Sequence, residues 1–398
     1  MNKGDKKMDI PKYQTIAGQF YKSGSLGKND LRWRIQSTTV DECREYAELL
    51  EKSGFTLHTS KEIPADYAYN VNLFYTYYKD DICVFVFWDA SIHTTFITAE
   101  PLRALPFAQA CAQTQVAMPT FTQLQLRNGM CYVVQLSDGA FIVVDGGEYC
   151  EQDCTRLYEF LKEKSVQEIP AVALWIFTHS HKDHIGLATE FIANYKEDVV
   201  VKAFAYQFPD CDKIFVAMES VEQMKNDIAM LEKNIQNGYP KAKVYTLHTG
   251  QSYYLQGLEI EILWTVDDTY PSDYLSFNEV STALRLQFDG GKSVLLLGDC
   301  MQDACRQMEH RYGDYVKSDI LQLTHHGLIG GDKRLYQRID PSICFWSTSE
   351  ERFLGNKPNQ RYQWCLGEGG CDYNAFLRDE KIKKRTHYHA SATTTIRI

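Results

Sequence analysis

The 398 residues are enough for two domains, the larger with a sizeable core, and a hydrophobic content of 44% is that of a globular chain. No apolar run approaches a membrane span, which excludes a helical membrane protein. The formal net charge of −10 disfavours extended nucleic acid as a partner. The densest basic run, Lys381-Ile-Lys-Lys-Arg385, reads as a solvated turn, and a short phosphodiester at a metal site stays open. The N-terminus carries positive charge without an apolar segment behind it, so no signal peptide is expected. Twelve cysteines without a dense framework fit reduced thiols in a cytoplasm; Cys150/Cys154 and Cys365/Cys371 lack convincing zinc-knuckle spacing.

In chain order, residues 1–28 are polar and glycine-containing and read as a loose lead-in. Residues 29–100 read as a small α+β domain. Leu31–Ser37 alternates toward a strand, and a helix runs from Thr39 or Asp41 to Lys52, with Cys43, Tyr46, Leu49 and Leu50 on one face. Phe55–His58, Val71–Tyr78, Ile82–Trp88 and Ile92–Thr98 follow as strands, with Lys79-Asp80-Asp81 as a hairpin turn. This module has no clustered titratable residues, so a structural or homodimer-forming role is expected. The proline-bearing stretch 101–119 reads as a linker to a second domain over 120–398.

That second part begins with apolar strands Met130–Leu136 and Ala140–Val144, closed by Asp145-Gly-Gly. After a helix over Cys154–Lys164 comes the apolar run Ala171–Phe177, the pattern of a fully buried strand. Just past it lie His179, His181, Asp183 and His184. Imidazoles two apart leave an extended segment on the same side, while Asp183 and His184 sit where a helix over Ile185–Tyr195 begins. Four nitrogen and oxygen donors at one strand end suit zinc, and they exceed what one tetrahedral ion with an open position needs. Two ions are therefore expected.

Further along, Val199–Tyr206 reads as a strand and Met218–Asn237 as a long helix ending at Gly238-Tyr-Pro240. Ser252–Leu255 and Leu258–Leu263 should pair antiparallel across Gln256-Gly257, and Ser281–Phe288 and Ser293–Leu297 form a hairpin. Gly298-Asp299 closes the latter, followed by a helix to about Tyr312. Asp319–Leu323 ends in Thr324-His-His-Gly327, and Ser342–Trp346 and Thr393–Ile396 read as late strands. Two β-rich runs interspersed with helices suggest two sheets covered on their outer faces. Asp145, the cluster at 179–184, Asp299 and His325/His326 all follow apolar strands, so strands feeding one edge would bring them together. Asp145 reads either as the carboxylate of a turn or as a group orienting a ligand histidine.

Asp145-Gly-Gly, His179-x-His-x-Asp-His184, Gly298-Asp299 and the strand ending in His325 together resemble the metallo-β-lactamase-fold hydrolase superfamily, over about residues 115–398. The resemblance implies an α/β (α+β) chain in which an αββα sandwich follows the small α+β domain, with a dinuclear, usually zinc, site at one edge. It also implies a metal-bound hydroxide as nucleophile. His179 and His181 would bind the first ion, Asp183 and His184 the second, and Asp299 would bridge, with Asp183 counted also as a catalytic residue. Of the adjacent histidines, His325 is expected as the ligand that ends the strand, and His326 as the acid for the leaving group or a donor behind the ligands. Within the superfamily, Phe277-Asn-Glu-Val-Ser281, Leu295-Leu-Leu-Gly-Asp299 and Thr324-His-His-Gly327 look most like the hydrolase domain of ComEC-type competence proteins. The N-terminal module and the membrane channel of those proteins have no counterpart here.

The chain departs from the family pattern where a third histidine for the first ion is usual: Ile262-Leu-Trp-Thr-Val-Asp-Asp268 has none. Asp268 and His248 are the candidate replacements, Asp268 preferred because it occupies the ligand-bearing loop; a carboxylate there would favour a harder ion such as Mn2+ over Zn2+. The expected function is hydrolysis of a phosphodiester or small anionic ester. A lactone, thioester or β-lactam substrate is the alternative, as is a binding or regulatory protein with a partly degenerate site.

Overall fold

The computed structural model describes residues 8–24, 30–65, 70–105, 115–212, 220–269, 276–353 and 374–398. Pro106, Met218, Cys365 and Cys371 of the sequence reading lie outside them. The N-terminal part forms a six-stranded antiparallel sheet in the order Gln19–Gly24, Leu31–Gln36, Thr94–Pro101, Ile82–Asp89, Val71–Lys79, Thr56–Pro64. Strand alternation gives it two buried faces. Val84, Val86 and Trp88 pack under helix Val40–Lys52 with Cys43, Tyr46 and Leu50, while Phe74, Phe87 and Phe96 point the other way. The helix opens on a capping box in which Thr39 accepts the Glu42 N–H and Glu42 accepts the Thr39 N–H.

One expectation is corrected here. The stretch read as a lead-in supplies the edge strand Gln19–Gly24, and Tyr13 is buried with its hydroxyl 3.0 Å from Thr95 Oγ1. An edge strand with exposed Phe20 and Tyr21 carries no one-sided hydrophobic pattern to reveal it.

The remainder is an αββα sandwich. One sheet has the order Lys243–Tyr245, Ala203–Ala205, Ala171–Ile176, Phe141–Val144, Tyr132–Gln135, Thr120–Gln123, Thr394–Arg397. The other runs Ser252–Leu255, Leu258–Trp264, Ala283–Phe288, Ser293–Leu296, Ile320–Gln322, Ile343–Trp346, Thr386–His389. Ile142, Val144, Leu174 and Ile176 from the first meet Ile260, Ile262, Leu284 and Leu296 from the second in a shared core. Helices Glu151–Lys164, Lys182–Asn194 and Val221–Gly238 cover the first sheet's outer face, and Gln302–Tyr312 with Lys333–Ile339 cover the second's. The hairpin across Gln256-Gly257 forms as expected, both turn residues in the left-handed region with φ of 42° and 81°. Among the described residues no helix is long and apolar enough to cross a membrane.

Phe74, Phe87 and Phe96 of the N-terminal sheet pack against Leu263, Trp264 and Leu297, so that sheet forms part of the cover of the second sandwich sheet. Ion pairs reinforce this contact. Arg32 pairs with Asp267, and His248 lies 2.8 Å from Asp267 and 3.3 Å from Glu100 while stacking on Phe85 at 3.5 Å. Burial opposes a charge on His248, but Asp267 and Glu100 outweigh it and raise its pKa to about 9. A folded-state value above the ordinary one means that this contribution is complete below about pH 6.5 and is lost as pH climbs through 9. Over that interval the unfolding midpoint is expected to fall, by at most ~3 kcal/mol of stability, and His248→Gln should remove that part of the slope. A variant whose midpoint follows pH as steeply as the parent's would exclude His248 as the source.

Candidate metal centre

The strand Ala171–Ile176 is central and buried, the chain bends at Thr178, and helix Lys182–Asn194 begins after His181, whose own backbone is extended. That junction puts Asp183 and His184 in the first helical turn, directly after His179 and His181. Its parallel neighbour Phe141–Val144 ends in Asp145, whose φ of 59° turns the carboxylate back toward Thr178. In the second sheet the parallel strands Ser293–Leu296 and Ile320–Gln322 end in Gly298-Asp299 and Thr324–Gly327. Loops after parallel strands gather at one sheet edge, and here they meet across the sandwich.

Two groups of donors result, each with its atoms within 4.8 Å of one another: His179, His181 and Asp299, and Asp183, His184 and His326. In the first, His179 Nε2 faces His181 Nδ1 at 3.0 Å and Asp299 Oδ2 at 3.9 Å. In the second, His326 Nε2 lies 3.2 Å from Asp183 Oδ2. Asp299 touches both, its Oδ2 being 3.4 Å from His326 Nε2 and its Oδ1 3.3 Å from His184 Nε2.

Groups behind these donors fix their orientation. His184 Nδ1 donates to Asp145 Oδ2 at 2.7 Å, and Asp145 is itself held by the Thr178 N–H at 2.8 Å and hydroxyl at 2.7 Å. The His326 Nδ1–H donates to the Ser347 carbonyl at 3.1 Å. Asp183 is fixed through its carbonyl, which accepts the Met130 N–H at 3.1 Å beside Gly129. Gly129 has φ of +94°, and a Cβ there would come 2.0 Å from the Asp183 carbonyl oxygen.

The electrostatics follow from burying three carboxylates among imidazoles. Burial opposes charge on His184, but Asp299 and Asp145 overcome it and raise its pKa well above the ordinary value. Burial likewise opposes charge on His326, yet Asp299 and Asp183 lift it to about 9. Burial works against ionised Asp299 too, but the surrounding His184, His326 and His325 hold it well below the usual carboxylate range. The donor set therefore draws positive charge to its centre. Buried His184 Nε2, His326 Nε2 and Asp299 Oδ1 have no aligned hydrogen-bond partner, which is how ligand atoms for a cation are disposed. Imidazole and carboxylate donors in this number fit two divalent cations.

The sequence-read residues His179, His181, Asp183, His184 and Asp299 are all brought together. His325 and His326 are both left-handed, with φ of 49° and 59°, so successive rings diverge and His326 joins the second group. His325, expected as the ligand, lies to one side with Nε2 3.8 Å from Asp299 Oδ2 and receives the Asn278 Nδ2 donor at 3.3 Å. Asp268, expected to replace the third histidine, is outside both groups. Arg311 at 2.6 Å, the Thr249 hydroxyl at 2.5 Å and the Thr265 N–H at 2.9 Å occupy its carboxylate. His248 is likewise held in the contact with the N-terminal sheet. Sequence reasoning missed Thr178, Asn278 and the Ser347 carbonyl. Asn278 stood in the quoted motif around Phe277–Ser281, whereas nothing local marks a backbone carbonyl as the support of a histidine.

Residues 124–230 match the family model of the metallo-β-lactamase superfamily. The chain carries a metallo-β-lactamase-fold domain. A curated relative, the uncharacterized protein YcaI of Escherichia coli strain K12, is 30% identical over 118 residues, 29% of this chain and 15% of that protein's length. Among solved structures, the metallo-β-lactamase fold protein YhfI of Bacillus subtilis aligns at 15% identity and a TM-score of 0.40, covering 70% of this chain and 99% of that one. The diiron β-hydroxylase CmlA of Streptomyces venezuelae aligns at 10% identity and a TM-score of 0.43, covering 91% and 79%. In the metallo-β-lactamase-fold domain described here, the two donor groups are candidate catalytic metal-binding residues.

Proposed function

We propose that the metallo-β-lactamase-fold domain is a metal-dependent hydrolase of a phosphodiester or another small anionic ester. His179, His181 and Asp299 would hold one divalent ion and Asp183, His184 and His326 a second, with Asp299 shared; zinc is the first choice and manganese the second. Ions held there supply Lewis acidity, lowering the pKa of a coordinated water toward ~7 and neutralising charge on the substrate oxygen. The observation that carries this reading is the pair His184 and His326. Each has Nδ1 engaged, by Asp145 and by the Ser347 carbonyl, and each leaves a buried Nε2 turned toward Asp299.

The roles of the adjacent histidines are then exchanged relative to the sequence reading. His325 is partly open, at 19% side-chain exposure, with its Nε2 3.8 Å from Asp299 Oδ2, so its position beside the donor groups places it to face a leaving group. His326→Asn is expected to lose about one ion per chain, and His325→Asn to keep both ions while losing turnover. The reverse pattern in metal content would restore His325 as the ligand.

The phosphodiester substrate is supported by the motif resemblance to the ComEC-type hydrolase domain, and a short substrate by the net charge of −10. Metal content of the purified protein by mass spectrometry, read with turnover of bis-p-nitrophenyl phosphate, a lactone and nitrocefin, tests the proposal. Two ions with activity on the first alone would support it, and activity only on the other two would move the substrate to a carbon-centred bond. A first donor group of three residues, with His248 and Asp268 engaged elsewhere, favours a second reading as a binding protein. Metal near zero after reconstitution would select it.

A further inference from the structure

In the strand Ile320–Gln322, Ile320 faces the core between the two sheets and Leu321 the opposite side. At the next inward position, where an apolar side chain would extend that core, stands Gln322, fully buried. A buried carboxamide costs free energy unless its donors and its acceptor are matched, and here all of them are. Its Oε1 accepts the Leu297 N–H at 2.7 Å and the Gly298 N–H at 2.9 Å. Its Nε2 donates to the Gly298 carbonyl at 3.0 Å and to the Leu323 carbonyl. We propose that Gln322 is a positioning residue of the metal centre, its amide locking the turn that delivers Asp299 to the turn that delivers His326. Its role toward metal rests on the dinuclear reading above; the lock itself does not.

The position of the amide explains why it is needed. Leu296 and Gln322 are the last paired residues of these parallel strands, so the N–H groups of Leu297 and Gly298 lie beyond the ladder and take the side chain as their acceptor. The Gly298 carbonyl receives Gln322 Nε2 and also the His325 N–H at 3.0 Å, and the Thr324 hydroxyl donates to the Cys300 carbonyl at 2.5 Å. Asp299 follows Gly298 directly and His326 follows His325, so the lock acts on both ligands one residue away. Those ligands are the ones whose Oδ2 and Nε2 meet at 3.4 Å, where the two donor groups join. Two acceptances and two donations from one planar group admit only an amide. A carboxylate would turn its second oxygen on two carbonyls, a lysine has no acceptor, and a methionine of similar length offers neither. Supports behind metal ligands are commonly worth about 10–100-fold in metal affinity or activity.

The test titrates cobalt(II) into the EDTA-treated full-length chain, followed by visible absorption, for the parent, Gln322→Met and Asn72→Leu. Asn72 is the matched control, a fully buried amide that bonds the Arg311 carbonyl and the Ala90 N–H in the contact with the N-terminal sheet. Both substitutions should lower the unfolding midpoint. Only Gln322→Met should weaken cobalt binding, about tenfold or more, and alter the absorption of the bound ions. Parent-like affinity and absorption in Gln322→Met, or the same loss in Asn72→Leu, would overturn the positioning role. Gln322→Glu keeps the shape and the acceptor oxygen, which guards against a methionine variant that fails to fold. Hydrogen exchange of this metal-free variant should stay slow at Leu297 and Gly298 and quicken about tenfold at His325, where the Gly298 carbonyl is displaced. Parent-like protection at His325 would overturn the lock. A parent chain that takes up no cobalt would reject the dinuclear reading, and the exchange result alone would then uphold or overturn the lock.

Discussion

Replacing Asp299 with alanine is expected to abolish hydrolysis and to strip metal from both donor groups. Its two carboxylate oxygens serve different neighbours, Oδ1 lying 3.3 Å from His184 Nε2 and Oδ2 3.4 Å from His326 Nε2 and 3.9 Å from His179 Nε2. Gly298 before it has φ of 54°, and the Asp299 N–H donates to Ser281 Oγ at 3.2 Å, so the carboxylate is delivered by a fixed turn. Groups behind the ligands are commonly worth about 10–100-fold in metal affinity or activity, so loss of a shared ligand should exceed about a hundredfold. Mass spectrometry of the variant together with its rate decides the matter, with circular dichroism to establish that it is folded. Parent-like metal content and rate would end the dinuclear assignment.

Arg311→Ala is expected to be the most destabilising single change outside the donor groups. The guanidinium is fully buried, 2.7 Å from Asp89 of the N-terminal sheet and 2.6 Å from Asp268 of the sandwich, and its own carbonyl accepts the Asn72 Nδ2–H at 2.8 Å. Phe87, Trp264 and Tyr312 surround it. Removing the cation leaves two carboxylates buried without a counter-charge, a situation that costs about 3–5 kcal/mol. At about 2–4 °C per kcal/mol for a domain of this size, the unfolding midpoint should fall by about 10 °C. Scanning calorimetry of the variant beside Arg311→Ala/Asp89→Leu/Asp268→Leu separates charge from packing. The triple change should recover much of the loss, because the uncompensated carboxylates go with the cation. A midpoint within a degree or two of the parent for Arg311→Ala would show that the N-terminal sheet is not anchored through this residue.

Much of the site was legible because its chemistry is dense and local. The run from Ala171 to His184 places a buried strand, two same-side imidazoles and a helix start within fourteen positions, and each is imposed by spacing alone. Asp145 and Asp299 could be added because each ends an apolar strand, and strand ends gather at a sheet edge. Sequence by itself therefore determined the two-sheet architecture, the edge that bears the chemistry and five of the six residues in the donor groups.

Tertiary structure decided the rest, wherever a choice between neighbours depended on a partner distant in the chain. His325 and His326 are chemically identical and adjacent; the two left-handed φ angles and the Ser347 carbonyl, twenty-one residues beyond His326, bring His326 and not His325 into the second donor group. Asp268 kept the position in the loop that suggested a ligand, yet Arg311, forty-three residues on, claims its charge. The hairpin implied that His248 and Asp268 would both face the metal edge, but His248 pairs with Asp267, and Arg32 and Glu100 of the N-terminal sheet hold that pair in its contact with the sandwich. Periodicity reports which face of an element is buried. A buried charge, by contrast, is assigned by whichever opposite charge the fold brings within about 3 Å, and no local pattern records that distance.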